Sequence, residues 1–157
     1  MISRRDFVTQ AAGLAVAALG APRLLAAPFR AGGATPITVY KSASCGCCAK
    51  WVDHLRANGF APTVHDEADM DAIKDDMGVP KDLRSCHTAL LDKYLVEGHV
   101  PASDLQRLLK EKPAIVGLAV PGMPASTPGM AMPGDAHEPY EVVSFAKDGS
   151  KATYAKH

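Results

Sequence analysis

The sequence predicts an α/β fold, and three observations carry that prediction. Ile37-Thr38-Val39-Tyr40 is a short β-branched and aromatic run of strand character. Trp51, Val52 and Leu55 then recur at the spacing that places side chains on one face of a helix. From there to about residue 110, short strand-like and helix-like runs alternate.

Each element follows in turn. Cys45-Gly46-Cys47-Cys48 comes directly after the first strand, and residues 49–58 form a helix that Gly59 stops. Pro62-Thr63-Val64-His65 reads as a second strand. Residues 69–77 read as a short helix with acidic side chains in its first turn, where the helix dipole favours them, and with Gly78 as its stop. Val79-Pro80 opens a loop that carries Ser85-Cys86-His87 into a third strand, Thr88-Ala89-Leu90-Leu91, whose antiparallel partner is Tyr94-Leu95-Val96-Glu97. Residues 101–110 form an amphipathic helix with Leu105, Leu108 and Leu109 on one face. Residues 115–120 are extended, and residues 121–139 hold five prolines, three glycines and Met123, Met130 and Met132, which predicts a long loop. A loop of that length within a compact domain is either functional or disordered. Residues 140–145 and 151–154, joined by a turn at Asp148-Gly149, predict a C-terminal β-hairpin. The order of the elements up to the third helix is that of a thioredoxin-like fold, in which a cysteine motif after the first strand occupies the usual active-site position.

The N-terminus reads differently. Ser3-Arg4-Arg5-Asp6-Phe7-Val8 leads into an alanine-rich apolar run from Ala11 to Ala21, the pattern of a secretory signal peptide. The paired arginines followed by Phe7 match the twin-arginine export pattern, and Ala26-Ala27 offers a cleavage site before Pro28. A membrane-spanning helix needs roughly 20 apolar residues, and Pro22 and Arg23 interrupt this run too early for one. The predicted organisation is a leader at 1–27, a linker at 28–35 and one folded domain at 36–157.

Composition limits the partners. Of 157 residues, 47% are hydrophobic and 22% charged, as in ordinary globular proteins, and 17 basic side chains balance 17 acidic ones. Nothing in that balance points to nucleic acid or to an anionic membrane surface. Cleavage of the leader removes Arg4, Arg5, Arg23 and Asp6 and leaves a mildly acidic mature chain. At this length a hydrophobic core forms without disulfide staples, so the four cysteines are free for chemistry.

Cys45, Cys47 and Cys48 lie within four positions at a strand-to-helix junction, where unpaired backbone N–H groups favour the thiolate. Thiolates bind metal and attack disulfides, and three soft sulfurs so close together suit copper(I) or zinc. The motif contains a C-x-x-C pair, Cys45 and Cys48, and a C-x-C pair, Cys45 and Cys47. In a thioredoxin-like fold the loop before the third strand packs on the cysteine turn, so Cys86 would complete a four-sulfur site. His87 beside it is a candidate ligand, a group that orients a cysteine, or a strand cap. A plainer alternative is a single structural disulfide from Cys45 or Cys47 to Cys86, against which the density of the cluster argues.

The leader, Val39-Tyr40-Lys41-Ser42-Ala43-Ser44-Cys45-Gly46-Cys47-Cys48-Ala49-Lys50-Trp51, Gly78-Val79-Pro80 and Ser85-Cys86-His87-Thr88-Ala89 together resemble the CopG family, which is associated with bacterial copper resistance. The resemblance runs from about Pro36 to Tyr154. It implies a periplasmic thioredoxin-like domain whose cysteines, here Cys45, Cys47, Cys48 and Cys86 with His87 as an additional ligand, hold a multinuclear copper(I) cluster and can alternate with a disulfide form. It implies copper ions and other periplasmic copper-handling proteins as partners, and leaves open whether the chain is a metallochaperone or an enzyme. An exported thiol-disulfide oxidoreductase using Cys45 and Cys48 is the alternative. Met123, Met130 and Met132 offer thioethers, which suit copper(I), with His137 a weaker candidate and a lid over apolar surface the competing role. His54, His65, His99 and His157 read as ordinary surface or structural histidines, and Asp69, Asp71, Asp75 and Asp76 fit no metal-loop spacing.

Overall fold

A computed structural model describes residues 33–157, so the predicted leader and most of the linker lie outside the described residues. Strand β1 (Thr35–Lys41), helix α1 (Gly46–Ala57) and strand β2 (Phe60–Asp66) form a βαβ unit, with β1 and β2 parallel from Thr35↔Phe60 to Lys41↔Asp66. Helix α2 (Met70–Asp76) and a 3-10 turn at Lys81–Leu83 lead to the antiparallel pair β3 (His87–Leu91) and β4 (Tyr94–Glu97). Helix α3 (Ala102–Glu111) returns the chain to β5 (Gly117–Ala119), parallel to β4, and β6 (Glu141–Phe145) and β7 (Lys151–Lys156) close the domain as a hairpin. The seven strands form one mixed sheet in the order β2-β1-β3-β4-β5-β6-β7. The predicted α/β class, the thioredoxin-like order of the first seven elements and the C-terminal hairpin all stand.

Alternation along the strands assigns each side chain to a layer. Ile37, Val39, Ala89, Leu91, Tyr94 and Val96 face the main core, which also receives Trp51, Val52 and Leu55 from α1 and Leu105 and Leu108 from α3. Cys48, Trp51, Val52 and Leu55, at i, i+3, i+4 and i+7, are the buried stripe of α1. The Trp51 indole N–H donates to the Val100 carbonyl over 2.9 Å, so its one polar atom is satisfied in the core. Leu95 belongs to the opposite face, with Val79, Leu83, Ala119 and Phe145. Glu97, two residues on, shares that face, and α2 covers it by sending Lys74 inward.

The Met/Pro/Gly-rich loop is ordered. Thr127 is fully buried and its hydroxyl donates to the Pro124 carbonyl, while Glu138 accepts from the Ala125 N–H and its own N–H donates to Ser126 Oγ. Gly129, at φ +89°, lies so close to α1 that a Cβ there would meet the Cys47 carbonyl and the Trp51 N–H at 2.8 Å. Only glycine fits both that conformation and that approach. Among the described residues no helix is long and apolar enough to cross a membrane.

Candidate metal centre

Cys45 is the N-cap of α1, and Cys47 and Cys48 occupy its first turn. The backbone turn that starts the helix is closed by the Cys45 N–H donating to the Ser42 carbonyl at 3.0 Å. Cys45 and Cys48 are joined in a disulfide, and Cys47 and Cys86 are free thiols. Cys47 Sγ lies 3.5 Å from Cys45 Sγ. The four sulfurs of Cys45, Cys47, Cys48 and Cys86 all lie within 4.8 Å of one another, so Cys86, separated from the motif by 38 residues, is brought to it by the β3 approach loop. The bond that forms is the C-x-x-C pair, not the structural link to Cys86.

A buried ion pair fixes that loop. Glu97, with no exposed surface, accepts from Lys74 Nζ at 2.6 Å and from the Ser85 backbone N–H at 2.6 Å, and its second oxygen accepts from the Thr88 hydroxyl at 2.6 Å. Ser85 Oγ donates to the Gly122 carbonyl, which joins the loop to the start of the methionine segment. Gly98 makes the turn from Glu97 to His99 at φ +71°, and a Cβ there would meet Ser85 Oγ and the Val120 carbonyl at 2.7 Å.

Two histidines stand over Cys86. His87 Nδ1 lies 3.3 Å and His99 Nε2 3.1 Å from Cys86 Sγ, and both rings are buried. His87 packs on Trp51 with ring centroids 4.3 Å apart and meets His99 edge-on at 5.0 Å. His99 Nδ1 lies 2.6 Å from the Pro128 carbonyl. By sequence His99 is one of the ordinary histidines. The structure makes it part of the centre, because the tight turn at Gly98 swings the residue after β4 back over the Cys86 loop.

Burial dominates the electrostatics. It pushes the Cys86 thiol up to about 11, helped by the neighbouring Cys47. Burial, followed by the neighbouring His99 ring and the Lys74 ammonium, holds His87 well below the ordinary imidazole range, and burial lowers His99 as well. Both rings are therefore neutral in the fold, the state in which imidazole ligates metal. Because their folded pKa values lie below the unfolded value of 6.5, the unfolded chain takes up protons first as pH falls. Stability is then lost below about pH 6.5. The urea midpoint of the metal-free domain is expected to fall between about pH 7.5 and pH 5.5, and His99→Gln to flatten that slope; an unchanged slope would mean that His99 titrates normally.

A cleft of about 310 Å³ lined by Asp71, Lys74, Arg84, Ser85, Cys86, Gly122 and Met123 opens on the Cys86 side of the centre. A larger cavity of about 590 Å³ lies elsewhere, between the segment after α3 and the β6–β7 turn, and holds no cysteine or histidine. Of the three methionines, Met123 shares the cleft with Cys86, Met130 follows the Gly129 contact on α1, and Met132 is exposed with its Sδ 3.6 Å from Lys50 Nζ. His137 is exposed, and His54 accepts from the Ala102 N–H, capping α3. Convergent sulfur and neutral imidazole donors, partly shielded from water, fit a soft or borderline metal ion.

The comparisons with known proteins agree with this chemistry. The family described as a protein of unknown function, DUF411, matches residues 83–130. No curated protein sequence matches the chain. The solved form 2 of copper resistance protein CopG is 47% identical, covers 78% of this chain and 98% of its own, and superposes with a TM-score of 0.74. Form 1 of copper resistance protein CopG is 48% identical, with 78% and 97% covered and a TM-score of 0.73. At that identity over nearly the whole length of the relatives, the chain belongs to the CopG family of copper resistance proteins.

Proposed function

We propose that the mature protein, exported to the periplasm by the twin-arginine route, binds copper(I) in a multinuclear cluster held by Cys45, Cys47, Cys48 and Cys86, with His87 as an additional ligand. The observation that carries this reading is the convergence of four sulfurs within 4.8 Å, three from one helix turn and one from a distant loop. Thiolates in such number favour copper(I) over harder cations, and the relatives are copper resistance proteins. Loading requires the Cys45–Cys48 disulfide to be reduced to two thiols by an external dithiol, which gives up two electrons and two protons and leaves as a disulfide, so copper binding and thiol redox state are coupled. That coupling supports a second reading, a thiol-disulfide oxidoreductase using Cys45 and Cys48.

Cys47 separates the two, because the C-x-x-C pair functions without it and the cluster does not. In anaerobic copper(I) titration against a competing chelator, Cys47→Ser is expected to bind fewer ions than the parent. Unchanged titration would favour the dithiol reading. In the same assay, replacing Met123, Met130 and Met132 together by leucine is expected to weaken binding by about tenfold, the low end of what changes outside the ligand shell cost. No change would reduce the loop to packing.

A further inference from the structure

We propose that the trough between the segment after α3 and the β6–β7 turn docks an extended peptide of a partner protein, one that alternates acidic and aliphatic side chains. The proposal is independent of the copper reading, because it uses no residue of the metal centre.

The register of the sheet puts the two places at opposite ends. Lys41 of β1 stands opposite His87 of β3, so the cysteine turn and the Cys86 loop share one end. Leu91 stands opposite Tyr94, and Gly117 of β5 opposite Phe145 of β6, so the β3–β4 turn, the entry to β5 and the exit from β6 share the other. A partner held there leaves the cleft beside Cys86 open.

The shape suits a chain. The cavity of about 590 Å³ is walled by Pro113, Ile115, Val116 and Ala146, with the exposed Lys93 and Lys147 on its rim. A second hollow of about 360 Å³ shares Ala114, Ile115, Ala146 and Asp148 with it and runs on past Phe145 to Ala152. Two hollows joined through four residues make an elongated trough, which fits an extended segment better than a compact molecule. Its aliphatic wall receives branched aliphatic side chains.

The backbone supplies hydrogen-bonding groups. Among the described residues the N–H and C=O of Ala114 and Ile115 make no hydrogen bond, whereas the Val116 N–H donates to the Phe145 carbonyl and the Pro113 carbonyl accepts from the Tyr94 hydroxyl. An extended peptide satisfies such groups with its own main chain, and pockets for alternate side chains then set specificity.

Charge selects acidic side chains. Neither Lys93 nor Lys147 enters an ion pair among the described residues. Asp148 is committed to its own turn, accepting from the Ser150 N–H at 2.9 Å, and Asp92 precedes Lys93 without lining the trough. At the far end Lys151 is already paired with Asp82. Two ammonium groups without a carboxylate partner, flanking an apolar wall, complement acidic side chains spaced along a peptide and repel a basic one. This is no general property of the surface, because the mature chain is mildly acidic.

The test uses the nitrogen-15-labelled mature protein in its disulfide form and a short capped peptide of alternating glutamate and valine. A lysine–valine peptide of the same length and octanoate are the controls. Saturable shifts of the Ala114, Ile115 and Lys147 amides are expected with the acidic peptide and not with the basic one. Replacing both lysines, Lys93→Gln with Lys147→Gln, is expected to weaken that binding at least about threefold, the loss of two exposed charge pairs. Raising salt from about 0.05 to 0.5 M is expected to weaken it as well. Both lysines are exposed, so the double variant is expected to fold and to titrate with copper(I) as the parent does. No saturable shift, an equal response to the basic peptide, binding indifferent to both lysines, shifts confined to residues outside the trough, or a changed copper(I) titration would overturn the proposal. Equal saturation by octanoate at the same concentration would also overturn it, by assigning the trough to small anionic amphiphiles.

Discussion

Replacing Cys86 by serine is expected to lower the copper(I) affinity of the reduced protein by more than about 100-fold and to reduce the number of ions bound. Changes outside the ligand shell typically cost 10–100-fold, and Cys86 belongs to both donor groups, the four sulfurs and the sulfur with two imidazoles. Its removal opens the cluster on the side that faces the cleft. The same variant is expected to melt close to the parent, because the side chain is only partly buried and serine has its shape. Competition titration reads the first effect and thermal unfolding the second. Parent-like affinity in Cys86→Ser would mean that the helix-turn cysteines hold the metal unaided.

Replacing Glu97 by alanine is expected to destabilise the fold by about 3–5 kcal/mol, the usual cost of removing one partner of a buried ion pair. Lys74 and Glu97 have side-chain exposures of 4% and 0%, so water cannot take over the role of the missing carboxylate. The loss leaves the Lys74 ammonium with the Thr88 hydroxyl alone and deprives the Ser85 N–H of its acceptor. That N–H belongs to the residue before Cys86, so the variant is expected to bind metal more weakly than its folded fraction explains. Glu97→Gln, which keeps an acceptor oxygen, is expected to fall between the two. Urea unfolding measures the stability and a metal titration under folding conditions measures the affinity. Parent-like stability of Glu97→Ala would show that the pair supports neither fold nor site.

These residues also mark where the sequence is legible. The buried stripe of α1 is local information, since Trp51, Val52 and Leu55 repeat at helical spacing and the cysteines sit at the start of the same helix. The β3–β4 pair is equally local, two apolar runs separated by a short turn. Lys74 is not: in an acidic helix it looks like part of a solvated face, and only the arrival of Glu97, 23 residues later, makes it a core residue. His99 is hidden for the same reason. Its meaning depends on Gly98 turning the chain and on Pro128, 29 residues on, presenting a carbonyl to its ring. The pairing of Cys45 with Cys48 is one of several arrangements the spacing allows, and the structure shows it as the bonded one. The methionines divide in a way composition does not show, with Met123 at the Cys86 cleft and Met132 exposed beside Lys50.

Whether four cysteines act together on copper(I) is tested most directly by a count of protected thiols. The reduced mature protein is titrated anaerobically with copper(I) against a competing chelator, and free thiols are counted before and after. Tight binding of several ions with Cys45, Cys47, Cys48 and Cys86 all protected is the predicted result. Weak or absent binding, with Cys45 and Cys48 closing readily to a disulfide while Cys47 and Cys86 stay free, would contradict it.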